Sequence, residues 1–334
     1  MPDKLISILG AGNWGTTLAV MLAEKGLEVR MWEFRPEAAR TIQQKRENSE
    51  FLPGIKFPDG VLVTADLGRA LQDSQVVFWA LPSPVLRSVC KQAKPHLDGG
   101  VLQVSFIKGI EVASRLRPSQ LLEQGLGEGI RLAVVSGPNI APEIARRLPS
   151  ATVAAASIRK DASQVQELLM SNHFRVYTSD DIVGVELGGA LKNIIAIAAG
   201  IVDGLGMGAN TKGALLTRGL AEITRLGVSL GARPETFAGL SGMGDMITTC
   251  FSPQSRNRSV GQQIARGRAL PEIIASLTMV AEGVETTRSA HQLARDRGIE
   301  MPITEQMHQV LFQGKPPQDA LRDLMGRQAR EEIW

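Results

Sequence analysis

Leu5-Ile6-Ser7-Ile8-Leu9-Gly10-Ala11-Gly12-Asn13-Trp14-Gly15 is the stretch from which the architecture can be read. It opens as a short apolar run that stops at glycine, as a buried parallel strand does. Gly10 to Gly15 then fit G-x-G-x-x-G, and residues 16–25 carry good helix formers with Gly26 as a stop. Strand, glycine-rich turn and helix in that order describe a dinucleotide-binding turn. Gly10 permits the tight turn, Gly12 lets the backbone approach a pyrophosphate, and Gly15 lets helix and strand pack closely. The helix N–H groups then face the anion.

Glu33 ends the next strand candidate, residues 28–33, and stands 23 residues after Gly10. A carboxylate there accepts hydrogen bonds from the adenosine ribose hydroxyls of NAD and repels a 2′-phosphate. Arg35, two residues later, could instead receive that phosphate. The two pull in opposite directions. NAD is favoured, with NADP tolerated.

Working outward, residues 61–64, 76–81, 101–106, 132–136 and 151–156 read as further strands, separated by polar, helix-compatible segments. Strand and helix in turn imply an α/β Rossmann-type, doubly wound parallel sheet in the N-terminal half. From about Gly184 long helical patterns take over, at residues 185–202, 215–230, 260–266, 286–297 and 304–312, with no convincing strand among them. Thr178-Ser179-Asp180-Asp181 is a turn-and-cap cluster at the change of character. The expected division is a dinucleotide-binding domain over 1–185 and an all-α substrate-binding and catalytic domain over 186–334, with the site in the crevice between them.

Composition narrows the function classes. The 334 residues are 43% hydrophobic and 21% charged, ordinary for globular domains. Lys plus Arg exceed Asp plus Glu by 37 − 34 = 3, the charges are mixed, and aromatics make up only 4%, so no nucleic-acid partner is expected. Cys90 and Cys250 lie far apart, which favours a reduced, cytoplasmic setting over a disulfide framework. Met1-Pro2-Asp3-Lys4 shows no signal-peptide pattern, and the longest uninterrupted apolar run, residues 194–202, is too short to span a bilayer. Membrane insertion is therefore not expected.

Many alcohol dehydrogenations use a histidine base, but His96, His173, His291 and His308 read as lone surface or core residues. Metal-ligand spacings are absent, so no metal is expected. Lys192 is the unusual position. It sits in a helix apolar nearly all round, where an ammonium needs a partner or a shifted pKa. Helical side chains lean toward the N-terminus, so Lys192 is expected over Gly188-Gly189, where no side chain blocks it. Space and desolvation both suit a lysine base. Lys108 follows a strand end, where doubly wound sheets place ligands, and its charge would help depress the pKa of Lys192.

Gly239-Leu240-Ser241-Gly242-Met243-Gly244-Asp245 is a glycine-rich turn whose closing acid could orient a lysine ammonium or a substrate hydroxyl. Ser255-Arg256-Asn257 precedes a helical pattern and combines hydroxyl, guanidinium and amide donors, a suitable phosphate site. In Val280-Ala281-Glu282-Gly283 a lone acid either closes over the cofactor or caps the following helix.

Taken in order, these segments together with Ser136-Gly137-Pro138 make the chain resemble the bacterial-type NAD(P)-dependent glycerol-3-phosphate dehydrogenases. The resemblance implies reversible interconversion of dihydroxyacetone phosphate and sn-glycerol 3-phosphate, feeding phospholipid synthesis, in an enzyme that is often a homodimer. It implies Lys192 as proton acceptor, and substrate contacts from Lys108, Gly137, Asp245, Ser255, Arg256 and Asn257. It implies cofactor contacts from Asn13, Trp14, Lys108, Ala141, Arg256, Val280 and Glu282. Two positions depart from the family pattern. Asn139 stands where a small hydroxyl residue is common among the substrate contacts, and Glu33-Phe34-Arg35 replaces paired basic residues or a histidine. Two other readings compete: a dehydrogenase of β-hydroxy acids, which would not need the Ser255-Arg256-Asn257 cluster, and a non-catalytic dinucleotide sensor, which would leave Lys192 unexplained.

Overall fold

The structure, a computed structural model, describes residues 5–329 and 331–332. Residues 1–4, on which the signal-peptide reading rests, lie outside the described residues. Eight strands form one sheet: β1 (Leu5–Leu9), β2 (Glu28–Trp32), β3 (Val61–Thr64), β4 (Val76–Trp79), β5 (Leu102–Ser105), β6 (Leu132–Ser136), β7 (Ser150–Ala155) and β8 (Phe174–Ser179). Their spatial order is β3-β2-β1-β4-β5-β6-β7-β8. The first six strands are mutually parallel and follow the doubly wound dinucleotide-binding order.

Two features differ from the sequence expectation. β7 runs antiparallel to β6, so the sheet is mixed rather than wholly parallel. β8, absent from the expected strands, pairs in parallel with β7 at the sheet edge. Its side chains alternate, with Phe174 and Val176 buried and Arg175 and Tyr177 exposed. A half-buried edge strand of this kind lacks the continuous apolar run that marks the interior strands.

Helices α1 (Asn13–Glu24), α2 (Pro36–Lys45), α3 (Leu67–Leu71) and α4 (Leu86–Ala93) follow the early strands, and α5 (Pro118–Leu126), α6 (Ala141–Ala145) and α7 (Arg159–Leu169) the later ones. Successive strand residues face opposite sides, and each side has its own core. Ile6, Ile8, Val29, Met31 and Phe78 pack toward Leu18 and Leu22 of α1 and Val165 of α7. Leu9, Val77 and Trp79 pack toward Leu86 and Val89 of α4 and Leu121 of α5.

After β8, Asp181 caps a 23-residue helix, α8 (Ile182–Gly204), by accepting from the Gly184 N–H at 2.8 Å. Around it lie α9 (Ala209–Ser229), α10 (Pro234–Ala238), α11 (Asp245–Phe251) and α12 (Arg256–Ala265). The chain closes with α13 (Leu270–Ala275), α14 (Glu282–Arg297), α15 (Pro302–Phe312) and α16 (Pro317–Met325). Helix α8 is long and apolar enough to cross a membrane by length and composition, but 89% of its most apolar window is buried by its neighbours. It is the axis of the helical core.

Candidate active site

The glycine-rich turn has the shape its sequence anticipates. Gly10 takes a positive φ of 109°, and a Cβ there would lie 2.5 Å from the Ala80 carbonyl oxygen. A Cβ on Gly15 would lie 1.9 Å from the Gly10 oxygen, so strand and helix meet backbone to backbone. Gly12 is different: a Cβ there would meet nothing within 4 Å. It is also the N-cap of α1 and leaves the first-turn N–H groups without a side-chain cap. Trp14 turns inward instead, its ring 5.9 Å from Phe106 and 6.4 Å from Phe174. Ala141 is buried at the start of α6, its carbonyl accepting from Thr17 Oγ1 at 3.3 Å.

At the end of β2, Glu33 is buried and Arg35 pairs with it, Nε to Oε1 at 2.8 Å. The two residues read as rivals in the sequence are partners in the fold.

Three charged groups converge where α8, α11 and the segment after β5 meet. Lys192 Nζ lies 3.0 Å from Asp245 Oδ1, and Lys108 Nζ lies 2.8 Å from Asp245 Oδ2. Lys108 also donates to the Gly137 carbonyl at 2.8 Å, and Lys192 donates to the Thr249 hydroxyl. Lys192 is 5% exposed and Asp245 2%. Burial drives the Lys192 ammonium down to about 8; Asp245 opposes that shift and Lys108 reinforces it. Burial pushes the Asp245 carboxyl up, but Lys108 and Lys192 together outweigh it and hold the group below its ordinary range.

The Gly188-Gly189 pair works otherwise than expected. A Cβ on Gly188 would lie 2.8 Å from the Ser241 carbonyl oxygen, and one on Gly189 would lie 2.2 Å from Ser136 Oγ and 3.5 Å from Lys108 Cγ. The glycines admit the glycine-rich turn, the end of β6 and the Lys108 stem against α8. Lys192 itself reaches toward α11.

The proposed phosphate cluster divides its labour. Ser255 caps α12 by accepting from the Arg258 N–H. Asn257 donates to Asn193 Oδ1 at 2.8 Å and accepts from the Gly283 N–H at 3.0 Å. Asn193 in turn donates to the Lys108 carbonyl at 3.0 Å, so one amide chain ties α12, α14 and the Lys108 segment to α8. Arg256 donates to the Val280 carbonyl at 2.6 Å. Among the described residues it has no carboxylate ion-pair partner, and burial lowers its pKa with only Glu282 opposing. Arg258 instead turns to Asp203, Nε to Oδ2 at 2.6 Å. Glu282 accepts from the Ser83 N–H at 2.8 Å and from its hydroxyl, bridging α14 to the segment after β4.

Asn139 donates to Thr152 Oγ1 at 3.0 Å; its own Oδ1 and the nearby Ser136 Oγ are buried without a hydrogen-bond partner among the described residues. Val280 is partly exposed beside Arg256. The sequence reading missed Thr249 and Ser83 as members of the site. Thr249 lies one helical turn from Asp245, which was the available signal. His291 and His308 are not lone: their rings stack at 3.9 Å between α14 and α15.

Comparison with known proteins matches residues 5–162 to the N-terminal part, and residues 181–322 to the C-terminal part, of NAD-dependent glycerol-3-phosphate dehydrogenase. The chain belongs to that family. It is 52% identical to glycerol-3-phosphate dehydrogenase [NAD(P)+] of Geobacter sp. (strain M21), over 99% of both chains. The corresponding protein of Moorella thermoacetica is 49% identical over 98% of this chain and 97% of its own. The crystal structure of glycerol-3-phosphate dehydrogenase from Coxiella burnetii superposes with a TM-score of 0.94 at 38% identity, covering 98% of this chain and all of the other. This family member is thus an oxidoreductase using NAD or NADP, and the hydroxy-acid and sensor readings fall away.

Proposed function

We propose that the chain interconverts dihydroxyacetone phosphate and sn-glycerol 3-phosphate, with Lys192 carrying the proton, and that it supplies glycerol 3-phosphate for phospholipid synthesis. The observation that carries this reading is the buried Lys192–Asp245–Lys108 cluster. Its ammonium near pKa 8 can exist in either protonation state close to neutral pH.

The open side of Gly12 and the uncapped start of α1 fit a pyrophosphate, so the turn from Gly10 through Asn13 and Trp14 to Gly15 would hold the dinucleotide. Glu33 and Arg35 would face its adenosine ribose, while Lys108, Ala141, Arg256, Val280 and Glu282 complete its site. When bound, the dinucleotide donates or accepts the hydride.

The rest is work for this chain's own groups. During oxidation, neutral Lys192 accepts the proton of the substrate hydroxyl; during reduction, its ammonium returns that proton. Asp245 keeps both lysine heads in place. Lys108 donates to the polar end of the substrate, whose neighbourhood includes Gly137 and Asn139. With Lys192 protonated the cluster sums to one positive charge, which suits an anionic substrate. Arg256, lacking a carboxylate of its own, is suited to the phosphate, and Ser255 and Asn257 hold it at the head of α12. Fixing the phosphate fixes the reacting carbon against the lysine.

The same reading divides the chain into a cofactor half, residues 1–185, and a catalytic half, residues 186–334. It makes the protein a cytoplasmic homodimer without membrane insertion. Two free, buried cysteines support a reducing compartment. The test is Lys192→Ala: bound NADH retained, dihydroxyacetone phosphate turnover down by about 10²–10⁴-fold. Near-normal activity in that variant removes Lys192 from the mechanism.

A further inference from the structure

Beside the glycine-rich turn lies a charge cluster that the hydride chemistry leaves unused. The Arg35 side chain is gripped on two edges. Its Nε, together with its backbone N–H, donates to Glu33 Oε1 at 2.8 and 3.1 Å. Its Nη1 and Nη2 donate to the two carboxylate oxygens of Glu50 at 3.1 and 3.0 Å. The Phe34 and Phe51 rings flank the guanidinium at 5.7 and 5.6 Å.

Glu50 is delivered to this place by the backbone. Two residues earlier, the buried Asn48 donates to the Ala11 carbonyl at 2.7 Å and to Thr16 Oγ1 at 2.8 Å. The Leu52 N–H closes a turn onto the Asn48 carbonyl at 2.8 Å. The segment bearing Glu50 is therefore pinned to the glycine-rich turn itself.

We propose that Glu50 is a specificity-determining, positioning residue: it fills the outer fork of Arg35, so a 2′-phosphate must displace it, and the chain takes NAD(H) in preference to NADP(H). This inference rests on the cofactor site assigned above. The Nη1–Nη2 edge is a fork a phosphate can grip bidentately, and it belongs to Glu50, while Glu33 occupies Nε on the side-on edge. Glu33 holds the other edge and cannot block the fork alone. With two carboxylates around one guanidinium the cluster also repels a dianion. Glu50 and Arg35 are half-exposed, so the lock is screened by water and displaceable.

The test measures binding, apart from turnover. NAD+ and NADP+ are titrated calorimetrically into the unaltered chain, Glu50→Gln, and Glu50→Gln combined with Arg35→Ala. Glu50→Gln is expected to improve NADP+ affinity relative to NAD+ by about five- to tenfold, and the double variant to lose that gain. Glu37→Gln, on the exposed face of α2 and paired with Arg40, controls for net charge alone. The lock is overturned if Glu50→Gln leaves the affinity ratio within about twofold, if the gain survives Arg35→Ala, or if Glu37→Gln matches it. Failure of the unaltered chain to bind either dinucleotide overturns the lock and the cofactor site together; NAD+ binding with an unmoved ratio overturns the lock alone.

Discussion

Lys192 can titrate near neutrality because it is desolvated on a buried helix, while a single carboxylate is shared between it and Lys108. The free enzyme's pKa governs kcat/KM, and in the proposed mechanism oxidation needs the neutral amine. For glycerol 3-phosphate oxidation, kcat/KM should therefore rise with pH through about 8, and for the reverse reaction it should fall through the same region. Asp245 raises the Lys192 pKa, so Asp245→Asn should move the oxidation limb to lower pH while reducing the rate. A limb that stays in place or moves to higher pH in that variant would show that Asp245 does not set the lysine's protonation. Thr249→Val removes a hydroxyl acceptor from the Lys192 ammonium. A loss of about tenfold in kcat, with KM for the dinucleotide unchanged, is expected from one hydrogen bond to a charged group.

At the scale of elements, the site depends on how closely helices approach α8. Where α8 meets α12, a Cβ on Gly200 would lie 2.0 Å from the Arg258 carbonyl oxygen, and one on Gly261 would lie 2.0 Å from the Ile197 carbonyl oxygen. Backbone cannot yield as a flexible side chain can. Gly200→Ala and Gly261→Ala should each destabilise the protein by about 1–3 kcal/mol, read as a lower urea midpoint at unchanged slope. Because α12 begins with Arg256 and Asn257, the same variants should raise KM for dihydroxyacetone phosphate. A raised midpoint, or stability lost with substrate affinity intact, would separate the crossing from the site.

At the scale of the molecule, a few buried bonds join the sheet to the helical layer. Glu186 on α8 accepts from Arg117 Nη1, and from the Ser119 N–H at 2.8 Å and hydroxyl at 2.6 Å at the start of α5. Burial pushes its carboxyl up, with Arg117 and Ser119 offsetting only part of that cost. Glu186→Ala would strand Arg117 and a buried N–H, at a cost of about 2–4 kcal/mol given the partial exposure of the arginine. Equilibrium denaturation checks this, and an unchanged midpoint would exclude the bridge as a structural tie. The Glu282–Ser83 bridge makes another connection, on the side proposed for the cofactor.

Local pattern was enough for the elements whose environment is uniform along the chain. The interior strands β1, β4, β5 and β6 announce themselves because both faces are buried, and Gly10 to Gly15 because a tight turn onto a helix leaves few residue choices. Lys192 stood out because an ammonium in a helix apolar nearly all round needs a partner or a shifted pKa, which weighs against a merely snorkelling lysine. The edge strand β8, the reversal of β7, Thr249 and Ser83 were decided by pairing across the fold. So were the alliance of Glu33 with Arg35 and the arrival of Glu50 beside them, 15 residues later in the chain. Composition and periodicity record which groups must be buried; which partner answers each buried charge depends on segments far apart in sequence, and only packing brings them within hydrogen-bond reach.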